Sequence, residues 1–247
     1  MHWRGSLLTI VFTLAVWSAW QPIQAQLNSY LPIRYVRVEG VFDHISRKQF
    51  QEQLKPLVTT GFLSADMQKI HQAALALPWV KVAEISRVWP DAITITLHEQ
   101  QAVVRWGKNG LLNRQGELFT PPEISKFGHL ALINGPQGQE KKLFKVMAGL
   151  EQALSGQRLQ LKEFNVSARR SWAILLNNGM QIKLGRKEPK NKFQQLIKVL
   201  PVIGTEIVAK MAVVDLRYPN GFAVTWKPGI EINWQKEIKH RSDKQNT

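Results

Sequence analysis

The sequence contains no cysteine at all and only 18 acidic residues against 33 lysines and arginines. Without cysteine there is no disulfide, no thiolate nucleophile and no thiolate metal site, so hydrophobic cores alone must hold the fold. The shortage of acid leaves a formal net charge of +15. Such an excess raises phosphate binding as a reading, since clustered Lys and Arg release counterions from nucleic acid. The distribution argues against it. The basic residues are spread singly through apparent strands and helices, and the dense runs are Arg169-Arg170, Arg186-Lys187 and the stretch from Lys236 to Lys244. A protein held beside anionic lipid has its own use for positive charge.

Catalytic patterns are missing too. Gly107 to Gly110 has neither the spacing nor the following Ser or Thr of a phosphate loop. The six histidines include no His-Glu-x-x-His pair. His98 and Glu99 are neighbours on an expected strand, facing opposite sides, so they cannot share a metal. Ser171 has no nearby His, and no Gly-x-Ser-x-Gly elbow occurs. The expectation is a chain that is not an enzyme and needs no metal, cofactor or small-molecule substrate. Asp215, in an apparently apolar strand, is expected to pair with an arginine.

One long hydrophobic run is present. Gly5 to Trp20, GSLLTIVFTLAVWSAW, has no charged side chain, and Gln21 to Ile23 bring it to the roughly 17 to 25 residues that span a bilayer. Trp3, Trp17 and Trp20 suit the two interfaces, and Arg4 with the α-amino group sets the N-terminus in the cytoplasm. A cleaved signal peptide ending at Ile23-Gln24-Ala25 is the alternative. The reading is a short cytoplasmic tail (1–4), a membrane anchor (5–23) and a linker (24–32), with the bulk of the chain outside the cytoplasm.

The region 33–100 reads in the order β-α-α-β-β. Tyr35 to Val38 is β-rich and closed by Glu39-Gly40. Ser46 caps a helix carrying Phe50, Leu54, Leu57 and Val58 on one face, with Gly61 beyond it. Ser64 opens a second helix with Met67, Ile70, Ala74 and Leu77, stopped by Pro78. Val80 to Val88 and the alternating Ile93, Ile95 and Leu97 form two strands around Trp89-Pro90-Asp91. Arg47, Lys48, Lys69, Lys81 and Arg87 offer a basic face here, or simply a solvated one.

The region 101–234 is richer in strands. Val103 to Trp106 is a strand, and Asn113 to Gly116 is a turn between Leu111-Leu112 and Leu118-Phe119. An apolar stretch, Leu130 to Ile133, precedes a helix marked by Leu143, Val146, Met147, Leu150 and Leu154. A hairpin turns at Asn177-Asn178-Gly179, and a helix with Phe193, Leu196, Ile197 and Leu200 is ended by Pro201. The last motif, Ala212 to Trp226, turns at Pro219-Asn220-Gly221. The fold class is therefore α+β: an N-terminal transmembrane helix, a β-α-α-β-β domain, and a mainly β domain with two or three helices. Residues 235–247 are expected to form a flexible tail.

The β-α-α-β-β block directly after an anchor resembles the POTRA domain, a module of extracytoplasmic proteins that handle polypeptide partners. VRVEG, LPWV and RVWPDAITITLHEQQAVVRW, with ARRSW, KLGR and VDLRYPNG followed by Trp226, are similar to the FtsQ/DivIB cell-division family of Gram-negative bacteria. That resemblance implies a single-pass inner-membrane scaffold of the divisome at the septum. It implies docking of FtsB and FtsL on the final strand region, at positions matching Arg169, Tyr218, Asn220, Gly221 and Trp226, and a role in controlling septal peptidoglycan synthesis. Arg217 and Phe222 join these on physical grounds, because large rigid or bidentate side chains dominate interface energetics. Tyr218 and Trp226 have a plainer alternative as core or rim aromatics. The POTRA-like block would meet an upstream partner such as FtsK. Rival readings are a POTRA component of outer-membrane assembly or secretion, and a basic nucleic-acid binder.

Overall fold

The computed structural model describes residues 31–59, 61–219 and 221–230. It divides into two compact units between Gln100 and Gln101. The first contains β1 (Tyr35–Glu39), α1 (Arg47–Val58), α2 (Met67–Leu75), β2 (Val80–Val88) and β3 (Ala92–Glu99). Its sheet has the order β1-β3-β2, with β3 parallel to β1 and antiparallel to β2. A parallel pair needs a crossover, and the two helices supply it. Phe50, Leu54, Ile70 and Ala74 from the helices meet Val38, Ala83, Ile93, Ile95 and Leu97 from the sheet in one core.

The caps explain the helix limits. The Ser46 Oγ accepts from the Gln49 N–H at 3.4 Å, as expected for α1. For α2 the cap is Asp66, two residues later than Ser64: its Oδ1 accepts from the Gln68 and Lys69 N–H groups at 3.0 and 3.1 Å. A carboxylate satisfies two orphan donors and also suits the positive helix terminus. The Ser64 hydroxyl instead donates back to the Gly61 carbonyl. The helix stops at Leu75, so Leu77 lies beyond it and Pro78 is not its terminator.

The second unit is a nine-stranded sheet of order β12-β11-β10-β9-β8-β7-β4-β5-β6. Its strands are β4 (Ala102–Trp106), β5 (Gly110–Asn113), β6 (Leu118–Phe119), β7 (Leu132–Asn134), β8 (Leu161–Val166), β9 (Trp172–Leu176), β10 (Gln181–Gly185), β11 (Met211–Asp215) and β12 (Ala223–Trp226). Three helices join them: α3 (Glu140–Leu154), α4 (Pro189–Ile203) and α5 (Thr205–Lys210). Leu143, Met147, Leu150 and Leu154 of α3 and Phe193, Leu196 and Leu200 of α4 pack on Phe164, Ile174, Ile182 and Val214 of the sheet.

Three local features depart from the sequence pattern. Strand β8 escapes a period-2 search because its pairing with β9 shifts between Leu161 and Glu163. The buried set is then Leu161, Phe164 and Val166 rather than a regular alternation. Pro201 does not end α4, which runs on to Ile203. The true break is Gly204, whose φ of +91° suits glycine alone. Beyond it α5 is a single short turn and a half, with Ile207 and Val208 buried.

The crossover through α4 and α5 positions the site. It carries the chain from β10 to β11, which lies parallel beside it, and the final turn then folds β12 back antiparallel on the outside.

Candidate partner-docking site

Among the described residues, β12 is an end strand of the nine-stranded sheet and pairs with β11 alone: Asp215 opposite Ala223, Val214 opposite Val224, Val213 opposite Thr225. An end strand presents backbone donors and acceptors to which an extended chain can add. Val224 and Trp226 back onto the core, while Ala223 and Thr225 face outward. The aromatic residues therefore divide. Tyr218 is 56% exposed and Phe222 38%, so neither is a core residue. Trp226 is partly buried against the core cluster, at its rim. Gly221 is exposed, with open space where a Cβ would stand. Asn220 lies outside the described residues.

Where β10 ends and the chain leaves β11, the strand that β12 pairs with, is a shallow cleft of about 510 Å³, lined by Arg169, Arg186, Lys187, Lys192 and Arg217 together with Ser167 and Ser171. Arg169 comes from the turn joining β8 to β9. There the Ser171 N–H donates to Ser167 Oγ at 3.1 Å and the Arg170 N–H to the Ser167 carbonyl at 2.8 Å, with Arg170 itself at φ +60°. Arg217 comes from the end of β11. Residues 48 positions apart in sequence thus line one cleft.

Arg217 is aimed by Asp215. Its Nε donates to both carboxylate oxygens at 2.9 and 3.0 Å, its Nη2 to Oδ2 at 2.6 Å, and its backbone N–H to Oδ1 at 3.0 Å. The side-chain bond from Arg217 holds the Asp215 carboxyl below its ordinary range, against a smaller opposing effect of burial. The expected arginine partner of Asp215 is therefore its neighbour two residues on. Gly185, at φ +74°, lets the arginine stem pass close: a Cβ there would stand 3.1 Å from the Arg217 Cγ. Lys192 is tied by its Nζ to the Leu216 carbonyl at 2.7 Å. The cleft thus gathers five cations, of which Arg217 is paired with Asp215 and Lys192 is hydrogen-bonded to the Leu216 carbonyl.

The sequence pattern alone does not mark Arg186, Lys187 and Lys192 as site residues. The dense pair Arg186-Lys187 is visible in the sequence, but only the β10–α4 connection places it beside Arg169.

The basic face expected of the first unit is less open. The Arg87 guanidinium donates to the carbonyls of Phe62, Leu63 and Ala65, at 3.1, 3.5 and 2.6 Å, and so clamps the loop before α2. Arg47 lies over the Phe42 ring at 4.9 Å, and Lys69 pairs with Asp66 at 3.7 Å. His98 is exposed, whereas Glu99 accepts from the backbone N–H groups of His44 and Ile45. No group of three metal-ligating side chains occurs among the described residues.

Comparison with known proteins places this geometry. Residues 104–217 match the family Cell division protein FtsQ/DivIB, C-terminal, and residues 31–100 match the POTRA domain, FtsQ-type. A protein named Cell division protein FtsQ from Methylomonas methanica is 43% identical over 230 residues, which cover 93% of this chain and 92% of that one. The chain belongs to the FtsQ/DivIB family. FtsQ proteins of Shewanella oneidensis (33% identical, 80% of this chain, 75% of the relative) and Coxiella burnetii (29%, 80% and 81%) are similar along most of their length. The mixed α/β architecture is thus a POTRA domain followed by an FtsQ-type C-terminal domain, and the chain is a cell-division protein of that family. The matched range for the C-terminal domain closes at Arg217. Within an FtsQ protein, then, the turn after Arg217 and all of β12 lie beyond that match. The proposed anchor residues Trp3, Arg4, Trp17 and Trp20 lie outside the described residues, among which no helix is long and apolar enough to cross a membrane.

Proposed function

We propose that this chain is a non-catalytic, single-pass scaffold of the divisome in the inner membrane. Residues 1–4 lie in the cytoplasm, 5–23 span the bilayer, 24–32 form the linker, and the domains 33–100 and 101–234 work in the periplasm, with 235–247 as a flexible tail. The C-terminal domain docks FtsB and FtsL and thereby helps control septal peptidoglycan synthesis, while the POTRA domain meets an upstream partner such as FtsK. The observation that supports this reading is the end strand β12 together with a cleft of five cations where its neighbours β10 and β11 end.

Docking proceeds by strand addition. A partner segment pairs its backbone with β12 and places acidic side chains against Arg169 and Arg217, while Tyr218, Phe222 and Trp226 cover the apolar part of the contact, with Asn220 and Gly221 shaping the turn. Confinement of both partners to one membrane plane raises their effective concentration without any new contact. The test is affinity between the ectodomain, Leu27 to Thr247, and the periplasmic part of FtsB, for wild type, Tyr218→Ala and Trp226→Ala. Loss of about 2 kcal/mol or more in a folded variant marks a hot spot. Unchanged affinity in both removes the terminal hairpin from the interface.

A further inference from the structure

The POTRA sheet has one face covered by α1 and α2 and one left open, and the open face is strongly polarised along its strands. Register defines its rows. Tyr35, Ala92 and Val88 form the first; Arg37, Thr94 and Ser86 the second; Glu39, Thr96 and Glu84 the third; His98 and Val82 the fourth. Residues directly opposite one another share a face. At the first row Tyr35 is 65% exposed and Val88 44%, and Trp89, in the adjoining turn, is 78% exposed. Three large side chains, two of them aromatic, stand in water at this end, against one exposed valine, Val82 at 40%, in the row at the other end.

Charge follows the same axis. Arg34 and Arg37 lie at or near the aromatic end with Asp91 as its carboxylate, whereas Glu39 and Glu84 occupy the third row. The Arg34–Asp91 and Arg37–Glu39 contacts, at 3.8 and 4.0 Å, are long, and both arginine side chains are solvent-exposed. Pairs of that kind hold their partners weakly, so both guanidinium groups can turn to another anion.

The chain enters the domain at this end. The Leu31 carbonyl accepts from the Phe62 N–H at 2.8 Å, and the Arg34 and Tyr35 N–H groups donate to the Asp91 carbonyl at 2.8 and 3.3 Å. From Ile23, where the apolar run closes, to Tyr35 is 12 residues, a reach of at most about 40 Å and about 20 Å for a relaxed chain. Aromatic rings with a polar edge, next to arginines, are the side chains that settle at the headgroup level of a bilayer.

We propose that Tyr35, Val88 and Trp89, flanked by Arg34 and Arg37, form a lipid-facing foot with which the POTRA domain rests on the anionic headgroups of the membrane that holds its anchor. The proposal rests on the reading of residues 5–23 as that anchor. The foot fixes which way the domain stands. It turns the row of Glu39 and Glu84 away from the lipid and leaves β2, an end strand of the POTRA sheet, standing upright for a protein partner.

The absence of native cysteine makes the test clean. Val88→Cys and His98→Cys each give the full-length chain a single nitroxide label, on the same face, about 20 Å apart along the strands. The chain is placed in nanodiscs of phosphatidylethanolamine and phosphatidylglycerol that carry a nickel-chelating headgroup lipid. Relaxation of the label at 88 is expected to exceed that at 98 by about threefold or more, as the roughly 20 Å separation along the strands demands. Adding Arg34→Glu, Arg37→Glu and Trp89→Ser, or replacing the lipid with phosphatidylcholine, is expected to bring 88 down toward the level at 98. Equal relaxation at both sites, in a chain that stays in the membrane through alkaline washing, overturns the foot and leaves the anchor standing. A chain that leaves the membrane on alkaline washing overturns the anchor, and the foot with it.

Discussion

The two units place helices on a sheet and carry many cations, yet they deploy that charge in opposite ways. In the POTRA domain Arg87 is spent on three carbonyls and Arg47 lies over the Phe42 ring, while Arg34, Arg37, Lys55 and Lys69 are scattered in long, weak pairs with separate carboxylates. In the C-terminal domain four cations from three separate connections and Lys192 of α4 converge on one cleft, and Asp215 is used to aim one of them. The two units thus differ in the distribution of their cations rather than in having them.

The largest effect that sharpens the comparison is in the cores. Phe164, fully buried among Ile174, Leu143 and Val214, loses about 3–5 kcal/mol on Phe164→Ala. In calorimetry that cost is expected in the transition of the C-terminal domain, with the POTRA transition unmoved. A joint shift of both transitions would show that the two units unfold as one.

Next in size is the cleft. Arg169→Glu with Arg217→Glu is expected to weaken FtsB binding by about 2 kcal/mol or more, and the wild-type affinity is expected to fall with added salt. Titration calorimetry at two ionic strengths reads both. Equal and opposite in kind is Arg87→Ala, which strips three carbonyls of their donor: about 1–2 kcal/mol of POTRA stability is lost in denaturant melts, with FtsB affinity unchanged. If Arg87→Ala weakened FtsB and the cleft variants did not, the comparison would be reversed.

The smallest effect is in pH. Asp215 has a folded-state pKa below its unfolded value, so its pairing stabilises fully above about 3.9 and is lost as pH falls through the lower folded value. Between pH 8 and 5 stability from this pair is expected to be flat, with loss only in the acid limb. Asp215→Asn is expected to flatten that limb, in urea melts from pH 5 to 3. A wild-type loss between pH 7 and 5 would place the titration elsewhere.

Much of the fold was legible. Regular alternation gave β3, and turn residues gave the hairpins at Asn177-Asn178-Gly179 and at the end of β11. What failed, failed locally: a bulge hid β8, Asp66 outcompeted Ser64 as a cap, and α4 ran through Pro201 to its break at Gly204. The site was legible in part. Tyr218, Phe222 and Trp226 cluster in the sequence, and resemblance pointed to Arg169. The meeting of Arg169 with Arg186, Lys187 and Lys192 depends on sheet order, which no local pattern encodes.

The central claim is that a partner adds its backbone to β12, and hydrogen–deuterium exchange tests it most directly. The full chain is compared alone and with the periplasmic part of FtsB. The account predicts that amides of Phe222 to Trp226 become strongly protected, with lesser change in the POTRA domain. Protection confined to other strands, with the amides of β12 exchanging as before, would contradict it.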